Sequence, residues 1–121
     1  MNNDTYTLLR SAKDIVLSFI RELNVQNFNA AKEYVDENIR FEGAMGSRYG
    51  IDAYFTGIQQ MRLEYNIKKI FTDGDDVCLM YDFTTSGITI FGCGWYHVKD
   101  EKIDVLKVIF DPRSILSATR R

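Results

Sequence analysis

The amino-acid sequence predicts an α+β domain in which three N-terminal helices pack on a curved antiparallel sheet. A change of rhythm carries that reading. Up to Arg62 the apolar residues recur mainly at three- and four-residue spacing, the period of an amphipathic helix, and beyond it they alternate as in a strand. The chain of 121 residues has one proline, Pro112, and neither repeats nor low-complexity tracts, so residues 1–121 read as a single domain. With 45% hydrophobic and 13% aromatic residues it can build a core of that size.

Leu8, Ala12, Ile15, Val16, Phe19, Ile20 and Leu23 form one apolar stripe, with Arg10, Lys13, Asp14, Arg21 and Glu22 opposite, which predicts a helix from Leu8 to Leu23. Asn27 or Asn29 can cap a short second helix around Ala30 to Val35 that ends near Asp36-Glu37-Asn38. Ile39 and Phe41 alternate with polar neighbours as a short strand. Gly43, Gly46 and Gly50 then mark a loop or hairpin, and Ile51, Tyr54, Phe55, Ile58 and Met61 return to helical spacing. Four strands follow as a meander, roughly Glu64 to Phe71, Val77 to Thr85, Ile88 to Val98 and Ile103 to Phe110, joined at Asp73-Gly74, Ser86-Gly87 and Asp100-Glu101.

Both faces of the later strands are apolar: Val77, Leu79, Tyr81 and Phe83 oppose Cys78 and Met80, and Ile103, Val105 and Ile109 oppose Leu106, Val108 and Phe110. A sheet apolar on both sides needs two covers. The helices supply one, and a second copy of the chain is the simplest other, so a homodimer is expected that buries Val77, Leu79, Tyr81 or their outer-face neighbours.

Charge narrows the partners. Fifteen basic and seventeen acidic residues are mixed along the chain for a net charge of -2, which argues against nucleic acid. No apolar run approaches the ~20 residues of a bilayer span, and Met1-Asn2-Asn3-Asp4 lacks the basic and apolar regions of a leader, so the expected location is cytoplasmic, with no membrane partner. Cys78 and Cys93 lack CxxC spacing and read as free thiols. With one histidine, His97, no metal or other cofactor is expected.

Three segments carry a family resemblance: Ile39-Arg40-Phe41-Glu42-Gly43 after the second helix, Gly50-Ile51-Asp52-Ala53-Tyr54-Phe55 opening the third, and Asp100-Glu101-Lys102-Ile103 leading to Phe110-Asp111-Pro112. In this order and spacing they resemble the SnoaL-like, polyketide cyclase-like group of the nuclear transport factor 2-like superfamily, over nearly the whole chain. Glu101 stands where that pattern usually has glycine. The resemblance implies a cone-shaped, cystatin-like fold whose sheet curls around an apolar cavity, often in homodimers packed sheet to sheet. It does not imply one activity, because the superfamily includes ketosteroid isomerases, cyclases, epoxide hydrolases, dehydratases and non-catalytic binders.

The isomerase chemistry is tested residue by residue. The oxyanion-hole tyrosine falls on Phe19, the base aspartate on Gly43, and the second acid on Gly94, or on Cys93 after a slip of one. None of these supplies a base or an oxyanion donor, which argues against that activity. Epoxide opening needs two carboxylates and an arginine, and Asp82 is the one credible inward carboxylate. Asp82 shares a face with Cys78 and Met80, a face that the resemblance turns toward the cavity. There it is either a general acid or base with a raised pKa or a structural partner in an ion pair.

The orientation of Trp95 and His97 depends on the turns. Tight hairpins at Ser86-Gly87 and Asp100-Glu101 place Asp82 opposite Phe91, Met80 opposite Cys93 and Cys78 opposite Trp95, bringing Trp95 and His97 into the cavity. Bulged three-residue loops, which the resemblance favours, instead turn Gly92, Gly94 and Tyr96 inward and leave room for a ligand. Arg48 and Tyr49 are candidates for the mouth, and Asp111 ends the last strand. The expectation is a domain binding a small apolar molecule, its pocket drawn from Phe19, Phe41, Tyr54, Ile58, Cys78, Met80, Asp82, Gly94, Tyr96, Leu106 and Phe110. The rival readings are an enzyme (cyclase, isomerase or hydrolase on an apolar carbonyl or ring compound) using Asp82, and a dimerising scaffold.

Overall fold

Ser11 opens the first helix by accepting a hydrogen bond at Oγ from the Asp14 amide at 3.1 Å, in a computed structural model that describes residues 10–119. Helix α1, Ala12–Asn24, buries Ile15, Val16, Phe19, Ile20 and Leu23, the predicted stripe. The expected start at Leu8 lies outside the described residues. At the other end the Asn24 side chain donates to the Tyr65 carbonyl at 3.0 Å and accepts from the Tyr65 amide at 2.7 Å, tying the helix to a sheet edge. Asn27, not Asn29, caps α2, Phe28–Lys32, through the Ala30 amide.

Strand β1, Val35–Gly43, starts where a helix end was expected, because Val35 and Ile39 both point into the core. A hairpin leads to β2, Gly46–Tyr49, and then to α3, Ile51–Met61. The meander comprises β3, Glu64–Asp73, β4, Asp76–Thr85, β5, Ile88–Lys99, and β6, Lys102–Phe110. A last helix, α4, Arg113–Thr119, follows Pro112 and was not expected. Asp111 accepts from the Arg113 amide at 3.0 Å and so begins that helix as well as ending the strand.

The strands form one open sheet in the order β2-β1-β6-β5-β4-β3. It is mixed, which corrects the expectation of an antiparallel sheet: β1 runs parallel to β6, while the other pairs are antiparallel. A parallel neighbour needs a long crossover, and everything between Gly46 and Lys99 provides it. Register shifts at Lys68 in β3, at Asp104 in β6 and between Val35 and Arg40 in β1 sharpen the curvature over the helices.

The two later hairpins are tight, which corrects the bulged three-residue loops that the resemblance favours. Thr85 pairs with Ile88 around Ser86-Gly87, and Lys99 with Lys102 around Asp100-Glu101, with positive φ at all four turn residues, as a type I′ turn requires. Glu101 thus holds φ 60, a conformation glycine adopts more readily. The tight register pairs Asp82 with Phe91, Met80 with Cys93 and Cys78 with Trp95.

The helix-facing side of β4 is nevertheless Val77, Leu79, Tyr81 and Phe83, all buried. Cys78, Met80, Asp82, Trp95 and His97 lie on the outer face, contrary to the expectation for β4 and to the one tied to tight turns. These two reversals offset each other, so Gly92, Gly94 and Tyr96 point inward after all. Val77, Leu79 and Tyr81 are consequently core residues of one copy and cannot lie in a dimer interface.

Candidate functional site

Between α3, the β1–β2 hairpin and the inner faces of β3, β4 and β6 lies a pocket of about 600 Å³. That volume suits a small organic ligand. Its walls are Phe41, Tyr54, Ile58, Met61, Leu63, Tyr65, Tyr81, Phe83, Leu106, Val108 and Phe110. Ala44 to Tyr49, all exposed, form the mouth, with Gln60 nearby. The helical spacing of Tyr54, Gly57, Ile58 and Met61 brings one face of α3 against the cavity.

Strand β5 contributes nothing to the lining, although its glycines face inward. A methyl group at Gly94 would stand 2.7 Å from both the Tyr81 hydroxyl oxygen and Tyr96 Cε1, and one at Gly92 would stand 3.0 Å from the Ile109 carbonyl and 3.2 Å from the Phe83 ring. The space these glycines leave is taken by aromatic rings, not by a ligand. Tyr96 fills it from within the core, its hydroxyl 3.4 Å from that of Tyr81.

Phe41, Tyr54, Ile58, Leu106 and Phe110, all expected at the cavity, line it. Phe19 lies one layer back, its ring 6.4 Å from Tyr54 and 6.5 Å from Phe55 and Tyr96. Cys78, Met80 and Asp82 are on the opposite side of the sheet, a direct correction to the proposed site. Sequence reasoning missed Tyr65, Tyr81, Phe83 and Val108. The alternation of β3, β4 and β6 contained them, assigned in β4 to the wrong side.

Asp82 has 34% of its side chain exposed and meets Lys68, the bulge residue of β3, at 3.7 Å. A carboxylate placed this way has no access to the pocket. Asp82→Asn is expected to cost at most about 1 kcal/mol, as for other exposed ion pairs. Ligand binding in the pocket should be unchanged. Urea melts and titration of the same variant check both, and a loss of binding would return Asp82 to the site.

His97 Nδ1 lies 2.6 Å from Asp104 Oδ1, and this hydrogen bond, more than any other influence, raises the histidine pKa above its ordinary value. Trp95 Nε1 donates to Asp76 at 2.8 Å, and Lys107 stands 5.5 Å from the indole centroid. Cys78 and Cys93 are free, with their sulfurs 3.1 Å apart. Burial, first, and the neighbouring Cys78 push the Cys93 thiol up to about 11, so it is no ready nucleophile. Among the described residues no three of His, Cys, Asp and Glu gather as a metal site, and no helix is long and apolar enough to cross a membrane.

Among the described residues Arg48 is the pocket's one charged side chain. Burial lifts the pKa of Tyr54, Tyr65 and Tyr81 above the ordinary phenol value, so these groups remain neutral donors at physiological pH.

A helix-covered curved sheet with a recess between α3 and the sheet is the nuclear transport factor 2-like architecture. Residues 16–105 match the SnoaL-like domain model, and the chain belongs to that family. A crystal structure of an NTF2-like protein of unknown function from Cytophaga hutchinsonii superposes with a TM-score of 0.86 at 42% identity, covering 89% of this chain and 96% of that one. A protein from Kribbella flavida gives 0.80 at 23%, over 88% and 92% of the two chains. An LEH-like epoxide hydrolase from M. tuberculosis gives 0.75 at 19%, over 88% and 86%, a likeness of fold alone. No curated protein matches the chain.

Proposed function

We propose that this domain binds a small, largely apolar molecule in the pocket and brings to it no acid–base pair of its own. One observation carries the reading: among the described residues the lining contains no Asp, Glu or His. Proton abstraction needs a base within hydrogen-bond reach, and neutral buried tyrosines do not supply one. The same lining argues against epoxide opening of the kind that needs two carboxylates around a water. The enzyme reading rested on Asp82 inside the cavity, and Asp82 is outside it.

Val108 is half-buried on the pocket wall, so Val108→Trp should fill the cavity from β6 while leaving the backbone pairing intact. A neutral bicyclic probe such as 2-naphthol is expected to bind the parent chain and to lose at least about tenfold in affinity for the variant, the factor that ~1.4 kcal/mol represents. Calorimetric titration measures it. Equal affinities, with the variant folded, would sink the reading and leave the scaffold.

A second proposal concerns the outer face, where Phe71, Phe91, Trp95 and Ile109 are exposed around half-buried Cys78, Met80 and Cys93. Contiguous apolar surface of this kind marks an interaction site. We propose that a second copy of the chain covers it, giving a homodimer packed sheet to sheet.

A further inference from the structure

We infer that the pocket's ligand is an amphipathic carboxylic acid: an apolar ring body, a carboxylate at Arg48, and a neutral hydroxyl or carbonyl at Tyr54. This rests on the pocket being a ligand site, and adds to it the chemistry of both ends of the ligand.

Among the described residues Arg48 is the one charged side chain of the lining, and no carboxylate lies within ion-pair distance of it. Its Nη1 donates to the Ala53 carbonyl at 3.3 Å, which leaves most of the five guanidinium donors unused. The side chain is also seated. A methyl group at Gly57 would come within 2.8 Å of Arg48 Nε and 3.0 Å of Cζ, so the bare glycine on α3 lets the guanidinium lie against the helix. An unpaired planar fork at the mouth of an otherwise uncharged pocket matches a carboxylate in charge and in shape. A cationic ligand would meet no counter-charge there.

Tyr54 is the independent observation. It is 2% exposed and lines the pocket, yet its hydroxyl has no hydrogen-bond partner among the described residues. Among the described residues no sealed side-chain polar atom lacks a partner, so this hydroxyl opens onto the cavity. A hydroxyl that opens onto the cavity and has no protein partner offers its donor to a ligand atom that accepts from it. That atom is neutral, because an anion at this depth would lose its hydration with no counter-ion beside it. Tyr54 and Gly57, against which Arg48 lies, are three residues apart on one face of α3, so Arg48 and Tyr54 can address two groups of one molecule.

The test uses 6-hydroxy-2-naphthoic acid, its primary amide and 2-naphthoic acid, titrated calorimetrically at low salt. The hydroxy acid should bind the parent chain about tenfold tighter than its amide, the scale of a charge-assisted contact. Arg48→Gln should erase that difference and leave both the amide affinity and the melting temperature in place. Tyr54→Phe should weaken the hydroxy acid severalfold and leave 2-naphthoic acid unchanged. If the amide binds as tightly as the acid, the inference falls and the pocket reading stands. If no probe binds, both fall. If Arg48→Gln weakens acid and amide alike, the contact is not with the carboxylate and the inference fails.

Discussion

An Ile109→Asp variant is expected to sediment as a monomer at concentrations where the parent chain sediments as a dimer. Ile109 is 73% exposed in the single copy, the most open large apolar residue on the sheet, and sits directly across from Cys93 in the middle of the outer face. Twofold symmetry introduces the aspartate twice, and each unpaired charge in an interface core costs several kcal/mol. Nothing in the isolated copy covers this position, so circular dichroism should show the variant still folded. That control separates lost assembly from lost folding. A parent chain that is monomeric at micromolar concentration, or a variant that stays dimeric, would refute the outer-face homodimer.

Leu79→Ala should destabilise the domain by about 2–5 kcal/mol, the usual range for a fully enclosed leucine. Leu79 is completely buried, between Ile70 on β3 and Gly94 on β5, and Gly94 has no side chain to move into the gap. Incomplete collapse places the expected loss in the upper part of that range. Urea unfolding with an unchanged slope and a lower midpoint would show it. The same variant tests the phase of β4: on the outer face Leu79 would be partly exposed and its truncation would cost less than about 1 kcal/mol. The inside-out arrangement would then be the correct one.

Much of this architecture can be read directly from residue order. The α1 stripe, the α3 face and the four meander strands were legible because each repeats one period over eight or more residues, and the turn positions followed from where those periods break, though not the turn type. Short elements were less so. Val35 reads equally well as the end of a helix or the start of a strand, and the seven residues of α4, Arg113–Thr119, carry too little pattern to announce a helix after a proline. The parallel pairing of β1 with β6 joins segments far apart in the chain, and no local signal records it.

The candidate site divides the same way. Phe41, Tyr54, Ile58, Leu106 and Phe110 were legible because their elements have one plainly apolar side, whereas β4 is apolar on both and its alternation cannot say which side is inside. Packing decided it. Val77, Leu79, Tyr81 and Phe83 fill the concave face against α1, the glycines of β5 leave space for their rings, and the opposite phase lets Asp82 stay hydrated beside Lys68. Residue order alone was enough for the fold class, the family resemblance and most of the aromatic wall. That the pocket holds no carboxylate among the described residues was settled by packing, because the side of a doubly apolar strand is chosen by total volume and by the cost of dehydrating a charge, both of which depend on what lies across the core.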